Sequence, residues 1–232
     1  MTGIETRMIE FSINAHVAPG YLAQPGDGQV HPGVVVIQEW WGLVPHIKDV
    51  AERFAREGFV ALAPDLYHGQ AADEPDEARQ LAMALDAQRA VQEIAAAARY
   101  LKKMQTIAPP KVGVVGWCMG GGLALSTAAH HADLIGAAVA FYGRPLTAGD
   151  TARLQVPVLG LYAEHDHGIP VEAVRAFEGE MDKQRVPHEV HVYPGTSHAF
   201  FNDTRPQIYQ AAAAQDAWQK ALAWFAKYLV AG

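Results

Sequence analysis

The chain contains a single cysteine, Cys118. One thiol cannot close an intrachain disulfide, so the fold does not depend on an oxidising compartment. Positive charge is also scarce, with 18 Lys and Arg against 25 Asp and Glu and a formal charge of −7. No Lys/Arg cluster occurs, which argues against a nucleic-acid-binding face. No apolar run approaches the length of a membrane span. The opening stretch MTGIETRMIEF has no apolar core of signal-peptide length. Internal repeats and long low-complexity linkers are lacking too. These absences lead to the expectation of a cytoplasmic protein with no nucleic-acid or membrane partner. The 232 residues, half of them hydrophobic, suffice for one sizeable core. A single domain over residues 1–232 is therefore expected.

What is present is a rhythm. The stretch from Arg7 to Ala23 has mixed β character and a Pro19-Gly20 turn signal, consistent with a hairpin or two edge strands. GVVVIQ (33–38) is a short β-branched run of the kind buried on both sheet faces. A helix is predicted over 46–58, with Ile47, Val50, Ala51 and Phe54 at helical spacing and Gly58 as its stop. FVALAP (59–64) reads as a strand, and one long helical stretch runs from about Glu74 to Lys103. VGVVG (112–116) is a strand and 119–131 a helix closed by His130 and His131. Strands follow at 134–142 and 156–162, a helix at 171–184 and an alternating strand at 188–193. A last helix covers about Gln207 to Leu229, with Trp218, Leu222, Phe225 and Leu229 as its apolar stripe. Strands alternating with helices imply an α/β fold, a mostly parallel sheet with helices on both faces. Ligands bind such sheets at the carboxyl ends of the strands.

Those ends carry chemistry. Gly116-Trp117-Cys118-Met119-Gly120 has the form of a nucleophile elbow, G-x-S-x-G, with cysteine in place of serine. So tight a strand-to-helix turn strains the nucleophile's backbone and leaves no room for side chains two residues away, hence glycine at both places. The nucleophile then projects from a helix N-terminus, where free N–H groups and the helix dipole favour a thiolate. The Met119 N–H is placed to donate to an oxyanion. Against this stands the plainer reading of Cys118 as a small buried hydrophobe. Downstream partners tip the balance. Asp166 follows strand 156–162 and His198 follows strand 188–193, in the order nucleophile, acid, base. His198 would take the thiol proton, and Asp166 would orient the imidazole. The His165-Asp166-His167 run also suggests a metal site, but adjacent side chains diverge and no further ligand pattern completes one. Neither metal nor cofactor is expected.

Four segments, VIQEWWG (36–42), GWCMGG (116–121), HDHGIP (165–170) and PGTSHAF (194–200), resemble the dienelactone hydrolases (carboxymethylenebutenolidases), a cysteine branch of the α/β-hydrolases. The resemblance spans most of the chain. It implies the α/β-hydrolase fold and a Cys118–Asp166–His198 triad. It also gives Glu39 the task of pairing with the resting thiol until substrate displaces it. The Trp40 N–H, beside that of Met119, would complete the oxyanion hole. The family's substrate is an unsaturated lactone bearing a carboxylate, so a cation is expected in the pocket. Arg205, Arg144 and Arg79 are the candidates, with Trp40, Trp41, Tyr67, Tyr142 and Phe200 as possible walls.

The reaction so implied is hydrolysis of a carboxylated lactone through an acyl-enzyme, by a protein acting as a monomer on a small molecule. Two alternatives stand beside it. One is a general carboxylesterase or thioesterase with the same machinery. The other is a catalytically idle binding protein or thiol sensor, disfavoured because no second cysteine resolves a sulfenate.

Overall fold

The computed structural model describes residues 3–13 and 16–230. Eight strands form one sheet: β1 (Ile4–Ile13), β2 (His16–Pro25), β3 (Gly33–Ile37), β4 (Val60–Pro64), β5 (Val112–Trp117), β6 (Ile135–Phe141), β7 (Val158–His165) and β8 (His188–Ser197). Their spatial order is β1-β2-β4-β3-β5-β6-β7-β8. The β1–β2 and β2–β4 pairs are antiparallel, and all others are parallel. Seven helices accompany the described strands: α1 (Pro45–Arg56), α2 (Pro75–Ala84), α3 (Ala87–Lys103), α4 (Met119–His130), α5 (Ala148–Thr151), α6 (Val171–Gln184) and α7 (Ala211–Phe225).

The GVVVI run explains why the sheet is covered on both sides. Successive side chains of a strand point to opposite faces. Val35 and Ile37 therefore join one core with α3, α4 and α6, whereas Val34 and Val36 join the other with α1 and α7. Both sets are fully buried. Two apolar layers thus hold a rigid central sheet, and its carboxyl edge serves as the platform for the site.

Three local expectations are corrected. First, Pro19-Gly20 is no turn. Both residues lie inside β2, opposite Glu10 and Ile9, and the connection at 14–15 lies outside the described residues. Gly20 is needed for close packing, because a Cβ there would sit 3.0 Å from Leu62 Cδ1 and 3.1 Å from the Ala63 carbonyl oxygen. Second, the stretch from Glu74 to Lys103 is two helices. Leu85 is extended, and the Asp86 carboxylate accepts the N–H groups of Gln88 (2.9 Å) and Arg89 (3.1 Å), so it caps a new helix. Third, α7 starts at Ala211, and its best-buried face is Ala214, Ala217, Ala221, Trp224 and Phe225. Trp218 and Leu222 are only half-buried, while a π-helical turn at Ala226–Val230 brings Leu229 back into the core.

Asp86→Ala should cost about 1 kcal/mol of unfolding free energy, and Asp86→Asn much less, because asparagine also caps. Urea unfolding would test this, and an alanine variant as stable as wild type would rule the cap out as the cause of the break.

Candidate active site

The strands deliver their chemistry with the same offset. Cys118, Tyr142, Asp166 and His198 each immediately follow the last residue of β5, β6, β7 and β8, and Glu39 lies two residues past β3. Cys118 is the hinge between β5 and α4, at φ 56° and ψ −119°, a conformation that β-carbon-bearing residues rarely adopt. Its N–H donates to the Phe141 carbonyl at 3.0 Å. A Cβ on Gly116 would lie 2.1 Å from the Gly120 carbonyl oxygen, and one on Gly120 would lie 2.4 Å from that of Gln38. Both elbow glycines are thus demanded by backbone approach, as the motif requires. Met119 is the first residue of α4, a position whose N–H has no acceptor one turn earlier within the helix.

His198 Nδ1 donates to Asp166 Oδ2 at 2.6 Å, since a carboxylate can only accept. The Asp166 Oδ1 accepts the N–H groups of Gly168 (2.9 Å) and Ile169 (3.0 Å). With Asp166 almost fully buried, these bonds leave its carboxylate one orientation. Burial works against a charged His198 ring, but the bond to Asp166, then the thiol of Cys118, outweigh it and lift His198 to about 10. Burial likewise pushes Asp166 upward, and the hydrogen bond and charge of His198 overturn it, so its pKa falls. The neighbouring histidines point elsewhere. His165 and His167 are exposed, with His165 Nε2 3.6 Å from Glu164.

Glu39 is only 2 % exposed, and burial raises its pKa, while the Asn202 hydrogen bond and the charges of His198 and Arg205 pull it back in part. Glu39 Oε2 accepts from Asn202 Nδ2 at 2.7 Å. The Asn202 amide cannot be turned round, because its Oδ1 accepts from the Thr204 N–H at 3.1 Å and hydroxyl at 2.6 Å. Sequence reasoning missed Asn202. It lies four residues after His198 in a run with no motif of its own, and only the fold brings it to Glu39. The following residue, Asp203, pairs with Arg53, whose Nε donates to Asp49 at 2.7 Å, so the loop after His198 is tied to α1.

The aromatic residues divide. Tyr142 has φ 39° and is fully buried, its ring centroid 5.0 Å from that of His198. Burial, then the negative charges of Glu39 and Cys118, hold its phenol protonated. Among the described residues its hydroxyl has no hydrogen-bond partner. The Tyr67 hydroxyl donates to the Trp40 carbonyl at 3.2 Å and lies 3.6 Å from Met119 Sδ, which ties the two oxyanion-hole candidates together. Burial, then the Cys118 charge, raise its pKa to about 12. Trp40 and Trp41 meet edge to face at 5.1 Å. Phe200 is fully buried between Tyr142 and Tyr193 and is a core residue.

The three arginines part company as well. Arg205 stacks over Trp41, 4.1 Å from the ring centroid, within electrostatic reach of Glu39. Arg144 is exposed just past Gly143, on the loop after β6. Arg79 is on the exposed side of α2, 3.7 Å from Asp76. No helix of the described residues is long and apolar enough to cross a membrane.

The chain as a whole is similar to known proteins. Residues 18–229 match the model of the dienelactone hydrolase family. The chain is 41 % identical over 230 residues to a protein of Aquifex pyrophilus named "Protein usf", covering 96 % of this chain and 99 % of that one. It is 36 % identical over 231 residues to a protein of Aquifex aeolicus named "Putative carboxymethylenebutenolidase", with the same two coverages. A crystal structure from Klebsiella pneumoniae, described as a "Putative Dienelactone Hydrolase", superposes with a TM-score of 0.89 at 30 % identity, covering 97 % of this chain and all of that one. The chain therefore has the α/β-hydrolase fold, belongs to the dienelactone hydrolase family and is a hydrolase acting on esters.

Proposed function

We propose that the chain opens a carboxylated unsaturated lactone through an acyl-cysteine intermediate. The observation that carries this reading is the strained Cys118 elbow beside a His198 ring whose Nδ1 is locked on Asp166. That bond turns Nε2 away from Asp166 and makes it the nitrogen available for proton transfer.

In the resting site Glu39 is the buried acceptor for the thiol proton, oriented by Asn202. When substrate binds, the Cys118 thiolate attacks the lactone carbonyl, and the N–H groups of Trp40 and Met119 receive the oxyanion. The ring C–O bond breaks, and the leaving oxygen takes a proton from His198. Water then attacks the thioester and gives its proton to His198, and the acid departs as Cys118 regains its thiolate. Arg205, stacked beside Glu39 and Trp41, is a cation at hand for the substrate carboxylate. The main competitor is a general ester hydrolase with the same residues, and it is separated from this reading by substrate preference alone.

Cys118→Ala should lower kcat on cis- and trans-dienelactone by about a thousandfold or more. Retention of a tenth of the activity would sink the acyl-cysteine route. Simple aryl esters turned over far faster than dienelactone would favour the general esterase.

The His198 shift has a consequence for stability. A raised folded-state pKa stabilises fully below the ordinary value of 6.5 and loses that contribution as pH rises through about 10. His198→Gln should therefore cost stability below about pH 6.5 and progressively less towards pH 10. A cost independent of pH, read by urea unfolding, would contradict it.

Asn202 acts as a positioning residue for Glu39. Without its donor, Glu39 is left with burial less opposed, and its pKa rises further. Asn202→Ala is expected to move the acid limb of kcat/KM to higher pH. An even fall at every pH would mean that Asn202 only supports the loop.

A further inference from the structure

One opening beside the loops after β6 and β7 plays no part in the mechanism above. It is a groove of about 470 Å³ between α5 and α6, within the size range of small-molecule pockets. Leu146, Ile169, Pro170 and Phe177 supply apolar wall, and Arg144 and Glu180 are its charged members.

Both sides of the groove continue the catalytic machinery. Gly168 and Ile169, on one side, are the residues whose N–H groups hold Asp166. Arg144, on the other, rests on the first turn of the nucleophile helix. A Cβ on Gly122 would lie 3.5 Å from the Arg144 carbonyl oxygen and 3.6 Å from its nitrogen. One residue earlier, a Cβ on Gly143 would lie 2.4 Å from the Gly121 carbonyl carbon. The groove is therefore bounded by the loop that holds Asp166 and by the segment packed on the first turn of α4.

Its two charged members differ in their partners. Among the described residues Arg144 makes no ion pair, whereas Glu180 is engaged by Lys183 at 2.6 Å. Of the other arginines singled out in the sequence, Arg79 is paired with Asp76, and Arg205, stacked on Trp41, is the cation assigned above to the lactone carboxylate. A guanidinium beside an apolar channel suits a carboxylate carried on a hydrocarbon arm, because its planar fork binds both carboxylate oxygens.

We infer that this groove is a second subsite of the active site, where Arg144 takes the distal carboxylate of a chain-like dicarboxylic substrate whose apolar arm lies along Leu146, Ile169 and Phe177. The inference rests on the Cys118 hydrolase reading and extends its substrates from compact lactones to esters of linear dicarboxylic acids.

The test is calorimetric binding of adipamate, which carries an amide at one end and a carboxylate at the other, and of hexanamide, which has the amide alone, to wild type, Arg144→Ala and Arg144→Lys. Wild type should bind adipamate at least about tenfold more tightly than hexanamide, the worth of one charge-assisted contact. Arg144→Ala should abolish that preference and leave hexanamide unchanged, and Arg144→Lys should keep part of it. Equal binding of the two compounds by wild type, binding of neither, or a preference that survives in Arg144→Ala overturns the subsite. Hydrolysis of p-nitrophenyl acetate by wild type and Cys118→Ala is measured in parallel. Cysteine-dependent hydrolysis without an Arg144-dependent preference sinks the subsite alone. An Arg144-dependent preference with hydrolysis indifferent to Cys118 sinks the catalytic reading and leaves the binding site standing.

Discussion

Cys118 is held at a backbone angle that costs of order 1–3 kcal/mol, and the surrounding packing leaves it no alternative. The Phe141 carbonyl takes its N–H, Gly120 presses on the Gly116 position, and the backbone of Ile37 and Gln38 presses on Gly120. Three strands thus meet at one turn. Because Gln38 is part of that contact, Glu39 is placed relative to the thiol by backbone packing, with no need for a side-chain bond between them. Gly121 and Gly143 repeat the same close approach one step further along and bring Arg144 against the helix.

Burial gives the site its electrostatic character. The protein is acidic overall, yet the groups at the sheet edge are governed by desolvation and by one another. Desolvation alone would neutralise both Asp166 and His198. The short bond between them favours the charged pair and reverses the effect for each. Glu39 is hydrogen-bonded by a neutral amide, and the charges of His198 and Arg205 offset only part of the desolvation, so burial prevails and its pKa stays raised. Two buried carboxylates at one sheet edge are thereby driven in opposite directions, Asp166 towards its charged form and Glu39 towards its neutral one.

Precision at the edge depends on loops anchored at a distance. The loop after His198 is joined to α1 through Asp203 and Arg53, and through Asn202 to Glu39 past β3. The loop after β7 is folded over the Asp166 carboxylate itself. The groove between that loop and Arg144 is lined by loop and helix residues and none of the sheet.

The buried strands, the elbow at Cys118 and the places of Asp166 and His198 directly after strands were legible along the chain because each is a local pattern. A β-branched run, a pair of glycines around Cys118, and single residues directly after strands need no knowledge of distant neighbours. Pro19-Gly20 misled for a physical reason: the glycine answers to Leu62 and Ala63 across the sheet, and a turn residue and a close-packing residue look alike in one dimension. Asp86 in a helical run could as well have been a solvated side chain, and only its two accepted N–H groups reveal the cap. Asn202 carries no local signal at all, since its partner is 163 residues away. Arg79, Arg144 and Arg205 were equivalent cations in the sequence. Tertiary structure separated them, because whether an arginine is free for a ligand depends on what the fold places beside it: a carboxylate, an aromatic face or an open groove.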